Sequence, residues 1–315
     1  MERPGTGARH VIRDAEMTAA TVQAQTVATT TGAATGTGTA ERFASGKGHR
    51  DENFPVASIL LKRDYRAPIL AFYRFARAAD DVADNVAAPA AERLAVLDDM
   101  HAALAGTGGA EPTATALRDV LTARDLDPRH GLDLLTAFSR DCTEDRTADW
   151  QALIDYCRVS AMPVGRYVLD VHGEDPDLWP ANDALCAALQ IVNHMQDCGK
   201  DWHALGRVYL PADRMAAHGV SVDDLARPAA TPGLRALLTE LAHRTDDLLA
   251  KSAGFAGRIR DRRLGLEVAI IHRLCVDLNA RLKVRDPLSE RVHHTKAEAL
   301  GLAARAVAGR LLGRA

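Results

Sequence analysis

Two acidic stretches, far apart in the chain, limit what this sequence can fold into more than any other feature. The first is Arg77-Ala-Ala-Asp80-Asp81-Val-Ala-Asp84 and the second is Asn193-His-Met-Gln-Asp197-Cys-Gly-Lys-Asp201. Each sets two carboxylates four residues apart in a segment with helical patterning, which puts both acids on one face, one turn apart. Like charges so placed repel. A lone D-x-x-x-D is usually a solvated helix face; two copies with apolar neighbours ask for a shared counter-charge. Magnesium is hard, takes oxygen ligands, keeps several waters and is commonly held by a few carboxylates together with substrate phosphates. Two facing acidic helices would therefore trap a diphosphate through metal ions.

The composition suits helices. Of 315 residues 47% are hydrophobic, enough for a sizeable core, and only 4% are aromatic; with alanine and leucine dominant, helix is favoured over sheet. Leu264, Val268, Ile271, Cys275, Leu278 and Leu282 recur at three and four, the stripe of a core-facing helix, and no segment alternates with period two. The expected fold is all-α. A net charge of -3 gives no reason to expect nucleic acid as a partner. The five cysteines are scattered with no C-x-x-C, which argues against a zinc site or disulfide framework and for a reducing compartment. No run of about 18 apolar residues predicts a membrane span. A P-loop, a dinucleotide fingerprint, G-x-S-x-G and HExxH are all missing.

Along the chain, residues 1–45 form a low-complexity tail of Thr, Ala and Gly, expected to be disordered. Order is expected from Glu52-Asn-Phe-Pro-Val56 onward, with Pro68 near the start of a helix that runs into the first acidic stretch. Helices are predicted over 113–124 and 131–142, and a long one from Trp150 to His172 kinked at Pro163. Its small residues, including Gly165, mean either close helix packing or wall space for a bulky substrate. A single helix over 181–202 carries the second acidic stretch and is followed by the extended Arg207-Val-Tyr-Leu-Pro211. Residues 286–315 read as a basic amphipathic helix or tail, either docked on the domain or adhering to an anionic membrane. His293-His294 within it is expected to face solvent. Cys198 reads as a small packing residue, since no paired histidine announces a nucleophile.

Around the first stretch, Tyr73 and Arg77 share a face with Asp80. Arg77 suits an ordinary helix ion pair or a phosphate ligand, because a guanidinium matches phosphate geometry. Around the second, Gln190, Asn193, Asp197 and Asp201 follow one face at spacings of three, four and four. Metal ions neutralise charge as a diphosphate departs. The rest of such a cavity must be apolar and dry to host a carbocation.

These residues resemble the squalene/phytoene synthase family over about residues 50–285. The likeness rests on Tyr73-x-x-x-Arg77-x-x-Asp80-Asp81-x-x-Asp84, Tyr156-Cys-Arg-Val-Ser-Ala-x-Pro-Val-Gly165, Gln190-x-x-Asn193-x-x-x-Asp197-x-x-x-Asp201 and Arg207-x-Tyr209-Leu-Pro211, in the family's order. Within the family, Glu52-Asn-Phe-Pro-Val56 and Gln196-Asp197 look most like the bacterial hopanoid-pathway branch that makes hydroxysqualene.

The resemblance implies an isoprenoid-synthase helical bundle with a central cavity, formed by residues 46–285. It implies magnesium on Asp80 and Asp84 from one side and on Asn193, Asp197 and Asp201 from the other. Tyr73, Arg77, Gln190 and Tyr209 would serve the reacting centre. Asn53, Phe54, Asp81, Tyr156, Val164, Gly165 and Arg207 would contact diphosphate or lipid. The implied reaction is ionisation of presqualene diphosphate, rearrangement of the cation and capture by water, without NADPH. Head-to-head prenyl diphosphate condensation and a non-catalytic scaffold of the same fold are the alternatives; retention of the motif acids argues against the scaffold. A cytoplasmic location, transient contact with the inner membrane face and coupling to other hopanoid-pathway enzymes are also implied. Two positions depart from many relatives: Lys200 stands where they carry an acid, and Gln196 where several have arginine. Gln196 would suit a substrate with a single diphosphate.

Overall fold

The computed structural model describes residues 63–311, together with Ala40. The predicted tail and the segment holding Asn53 and Phe54 lie outside them. Within the described residues the chain is all-α, and its one β contact is an isolated parallel bridge between Arg146 and Val208. No helix there is long and apolar enough to cross a membrane.

The first half packs α1 (Arg63–Ala83), α2 (Ala90–Ala105), α3 (Pro112–Thr122) and α4 (Arg129–Asp141) around one core. In α1 the buried stripe is Phe72, Phe75, Ala79 and Val82, which leaves Asp80 and Asp84 off the core face. The helix starts earlier than Pro68 suggests. Proline has no N–H to give the carbonyl four residues back, and Arg124 donates to that Asp64 carbonyl instead. Tyr167 fixes the same turn from the other half by donating to the Pro68 carbonyl at 2.8 Å.

The second half contains α5 (Trp150–Ser160), α6 (Met162–Val171), α7 (Trp179–Gln196), α8 (Cys198–Leu205), α9 (Ala212–Ala217), α10 (Pro232–Lys251), the short α11 (Phe255–Arg258) and α12 (Arg262–Leu282). Its core joins α7, α10 and α12. The single kinked helix predicted across Pro163 is instead two helices, broken at Ala161 (φ -118°, ψ -46°), because Pro163 sits at the start of α6 where its missing N–H is harmless. The helix predicted over 181–202 also breaks, at Asp197 (φ -104°, ψ 10°). Hydrogen bonds from Asp197 to the Asn193 carbonyl and from Asp201 to the Asp197 carbonyl, at 2.9 and 2.8 Å, carry the ladder through the bend.

α13 (Lys296–Leu311) docks on α12 through Leu302 and Ala303 against Ile270 and Leu274. Docking is thus the reading the fold supports for this segment. The two histidines before it do not face solvent: His294 donates or accepts at 2.9 Å with Asp277, and burial pushes His293 down to about 4. Both are half-buried, since the adjoining Val292 is packed into the second-half core.

Candidate active site

The C-terminal turn of α1 carries the first acidic stretch. Arg77 pairs with Asp80 at 3.0 Å and with Asp81 at 2.8 Å, the ordinary ion-pair geometry of one helix face. Arg207 arrives from the other half, donating to Asp84 Oδ1 at 2.6 Å and to the Ala83 carbonyl at 2.8 Å. Burial, then the neighbouring Asp84, push Asp80 well above the usual carboxylate value, against the pull of Arg77. Burial of Arg207 opposes its charge, but Asp141, Tyr209 and Asp84 outweigh it and hold the guanidinium charged.

Gly206 is what delivers Arg207. Its φ of 68° closes α8 in the left-handed region, which costs a side chain little only when that side chain is absent. The chain then runs extended, with Val208 N–H donating to the Asp145 carbonyl at 2.9 Å.

One cleft gathers both acidic stretches: Asp80 lines it from α1 and Asp84 from just past its end, and Asp201 and Lys200 from α8. Its empty volume, counted out to the open mouth, is about 650 Å³. Asp201 is buried, and its Oδ2 has no hydrogen-bond partner; His194 Nδ1 is 4.0 Å away. Asp197 does not line the cleft. It is half-buried at the bend, where burial raises it to about 6 against the pull of Lys200.

Among the lining residues absent from the sequence prediction are Asp141, His194 and Phe138. Asp141 accepts from the Tyr156 hydroxyl at 2.8 Å and, more loosely, from the Tyr209 hydroxyl at 3.5 Å. Burial raises Asp141 to about 6, against the pull of Arg207 and the Tyr156 hydrogen bond. Burial and the Asp141 charge also push both phenols up, so they stay protonated and donate. The His194 ring stacks on Tyr209 with centroids 3.8 Å apart, and its Nε2 meets Gln190 Nε2 at 3.1 Å. His194 was discoverable, since it stands four residues after Gln190. Asp141 has no such spacing, because only folding brings it to Tyr156 and Tyr209.

Of the other predicted residues, Tyr73, Arg77, Asp81 and Asn193 are not among those lining the cleft. Val164 packs against the first-half core. Gly165 sits at the crossing of α6 and α7, where an added Cβ would meet Asn182 Oδ1 at 2.1 Å, which favours close packing over wall space. Gln196 is buried and donates its amide to the Val292 carbonyl, turned to the 286–295 segment and not to the cleft. The Cys198 thiol is pushed up to about 12 by burial and is inert.

The squalene/phytoene synthase profile matches residues 48–298. The chain belongs to the squalene/phytoene synthase family. The chain is 56% identical over 274 residues to the hydroxysqualene synthase of Zymomonas mobilis, covering 86% of this chain and 92% of that one. It is 52% identical over 254 residues to the hydroxysqualene synthase of Rhodopseudomonas palustris, covering 81% and 87%. Among solved structures, squalene synthase HpnC from Alicyclobacillus acidocaldarius superposes with a TM-score of 0.65 at 31% identity, covering 78% of this chain and 91% of that one.

The donor set of this family member fits a hard divalent cation in one specific sense. Among the described residues no three His, Cys, Asp or Glu side chains converge to hold a metal unaided. Magnesium does not require that, being commonly held by one or two carboxylates with waters and substrate phosphates. The unpartnered Asp201 Oδ2, and an Asp80 raised partly by its neighbour Asp84, are groups that a cation would satisfy.

Proposed function

We propose that this chain converts presqualene diphosphate to hydroxysqualene, releasing diphosphate. The observation that carries the reading is the meeting of Asp80, Asp84 and Asp201 at one cleft, in a chain more than half identical to a hydroxysqualene synthase. Asp80, Asp84 and Asp201 would hold magnesium, and Asn193 and Asp197, which lie outside the cleft lining, would support that site from the bend before Asp201. Magnesium bound there neutralises the charge of the departing diphosphate. Arg207 and Lys200 add fixed positive charge at the same mouth, while Arg77, paired with Asp80 and Asp81, and Tyr73 one turn earlier would steady the α1 side from outside the cleft lining. Phe138 and the Tyr156 ring face the hydrocarbon, where low polarity prolongs the cation. Gln190 and Tyr209 sit beside the reacting carbons. Water plus presqualene diphosphate balances to hydroxysqualene plus diphosphate, so no reductant is consumed.

We take residues 46–285 as the catalytic unit and 286–315 as a C-terminal segment whose helix α13 packs onto it. An oily substrate and product suit a peripheral position at the inner membrane face and coupling to neighbouring hopanoid-pathway enzymes. The test is incubation of the purified protein with presqualene diphosphate and magnesium, without NADPH, and identification of the lipid by mass. Hydroxysqualene is the expected product. Turnover of farnesyl diphosphate to a condensed hydrocarbon, with presqualene diphosphate left untouched, would sink the reading.

A further inference from the structure

Hydroxysqualene formation needs a water molecule at a cation that must otherwise be kept dry. A second chamber, about 660 Å³ counted out to its mouth, lies back to back with the cleft. The two share four residues, Asp141, Tyr156, Arg207 and Tyr209, which form the partition between them. On the far side Arg140, Arg146 and Thr147 line the walls with the small Ala148 and Ala152 between them. The rim is wet: the side chains of Glu144 and Asp145 are 54% and 69% exposed.

The polar groups in the partition are two hydroxyls, a carboxylate and the Arg207 guanidinium. Tyr156 holds Asp141 at 2.8 Å, while the Tyr209 contact, at 3.5 Å, is the looser of the two. Immediately behind Tyr209, on the cleft side, stands the stacked His194 ring. Its Nδ1, and Oε1 of the adjoining Gln190, are buried with no hydrogen-bond partner. A buried water needs two to four polar partners, and unpartnered donors and acceptors of this kind are where one settles.

We infer that the second chamber is the water supply of the reaction. Water passes the Tyr209 side of the partition and is held by His194 and Gln190 for attack on the cation. The inference rests on the proposed reaction. The water oxygen's lone pair forms the C–O bond, and the proton it sheds goes to the released diphosphate. The chain thus sets the balance between capture by water and proton loss to an oxygen-free alkene of the same carbon skeleton.

The experiment fills the chamber from two sides, with Ala152→Phe and, separately, Thr147→Phe. Each is incubated with presqualene diphosphate and magnesium, and both diphosphate release and the hydroxysqualene-to-alkene ratio are measured. The ratio is independent of the folded fraction. It should fall by about fivefold or more in both variants, with diphosphate release within about twofold of the parent. An unchanged ratio in either variant overturns the inference, whether or not diphosphate release falls. If the parent protein itself releases no diphosphate from this substrate, the reaction reading fails first and the inference with it.

Discussion

The Arg207 guanidinium donates to the Asp84 carboxylate at 2.6 Å, tying together residues 123 positions apart. It also reaches the Ala83 carbonyl, which accepts a second arginine, Arg93, at 2.6 Å. The carboxyl end of a helix carries partial negative charge and is an unfavourable place for acids. Asp80 sits in that last turn and Asp84 immediately follows it, and two buried arginines make the placement tolerable.

Arg207→Ala should therefore act on stability as well as activity. Breaking a buried pair from one side leaves an uncompensated charge and costs about 3–5 kcal/mol. Urea unfolding at neutral pH checks this; a loss below about 1 kcal/mol would show the pair to be incidental. Arg207→Lys should recover less than half, because one ammonium replaces a planar fork that serves two acceptors.

Asp201 should behave oppositely. Its Oδ2 is buried without a hydrogen bond, so the folded protein carries a desolvation penalty there. Asp201→Asn removes the charge at nearly constant volume. Stability should stay level or rise by about 1 kcal/mol, while turnover with magnesium falls about a hundredfold or more. Thermal melts and diphosphate release, measured on one preparation, separate the two effects. A variant that is both destabilised and active would contradict the assignment.

Much of this arrangement is legible in the sequence, and the parts that are not share a cause. Helical periodicity suffices for an all-α fold, and the spacing of Asp80 with Asp84 points to the helix end that lines the cleft. The bends at Ala161 and Asp197 escape that logic, because both flanking segments have good helical pattern and the break lies in backbone angles. Asp197 leaves the cleft lining for this reason, while Asp201, one turn later, stays on it. Asp141 is invisible for another reason: its partners Tyr156 and Tyr209 come from different elements, so no local spacing points to it. Gln196 misleads in the same way, since its partner Val292 lies 96 positions downstream.

Asp141 also gives a pH signature. Its folded value is raised to about 6 by burial, above the value near 4 of an exposed aspartate. Between those values the folded chain holds a proton that the unfolded chain has released. Its contribution to stability is full below about pH 4 and is lost as pH rises through about 6. Asp141→Asn has no such proton to lose. Unfolding free energies measured from pH 4 to 7 should fall more steeply for the parent than for Asp141→Asn; parallel profiles would refute the shift.

Gly165 makes the last test, of packing against chemistry. A Cβ there would lie 2.1 Å from Asn182 Oδ1 and 2.7 Å from Cys186 Sγ, both on α7. Asn182 is buried and bonded to Asp183, so its side chain cannot swing away freely. Gly165→Ala should force α6 and α7 apart at a cost of about 1–3 kcal/mol. If the clash is the cause, adding Asn182→Ala should restore part of the loss, and the double variant should be more stable than the sum of the singles allows. Strict additivity in unfolding measurements would mean that Gly165 matters to the site by some route other than the approach of these two helices.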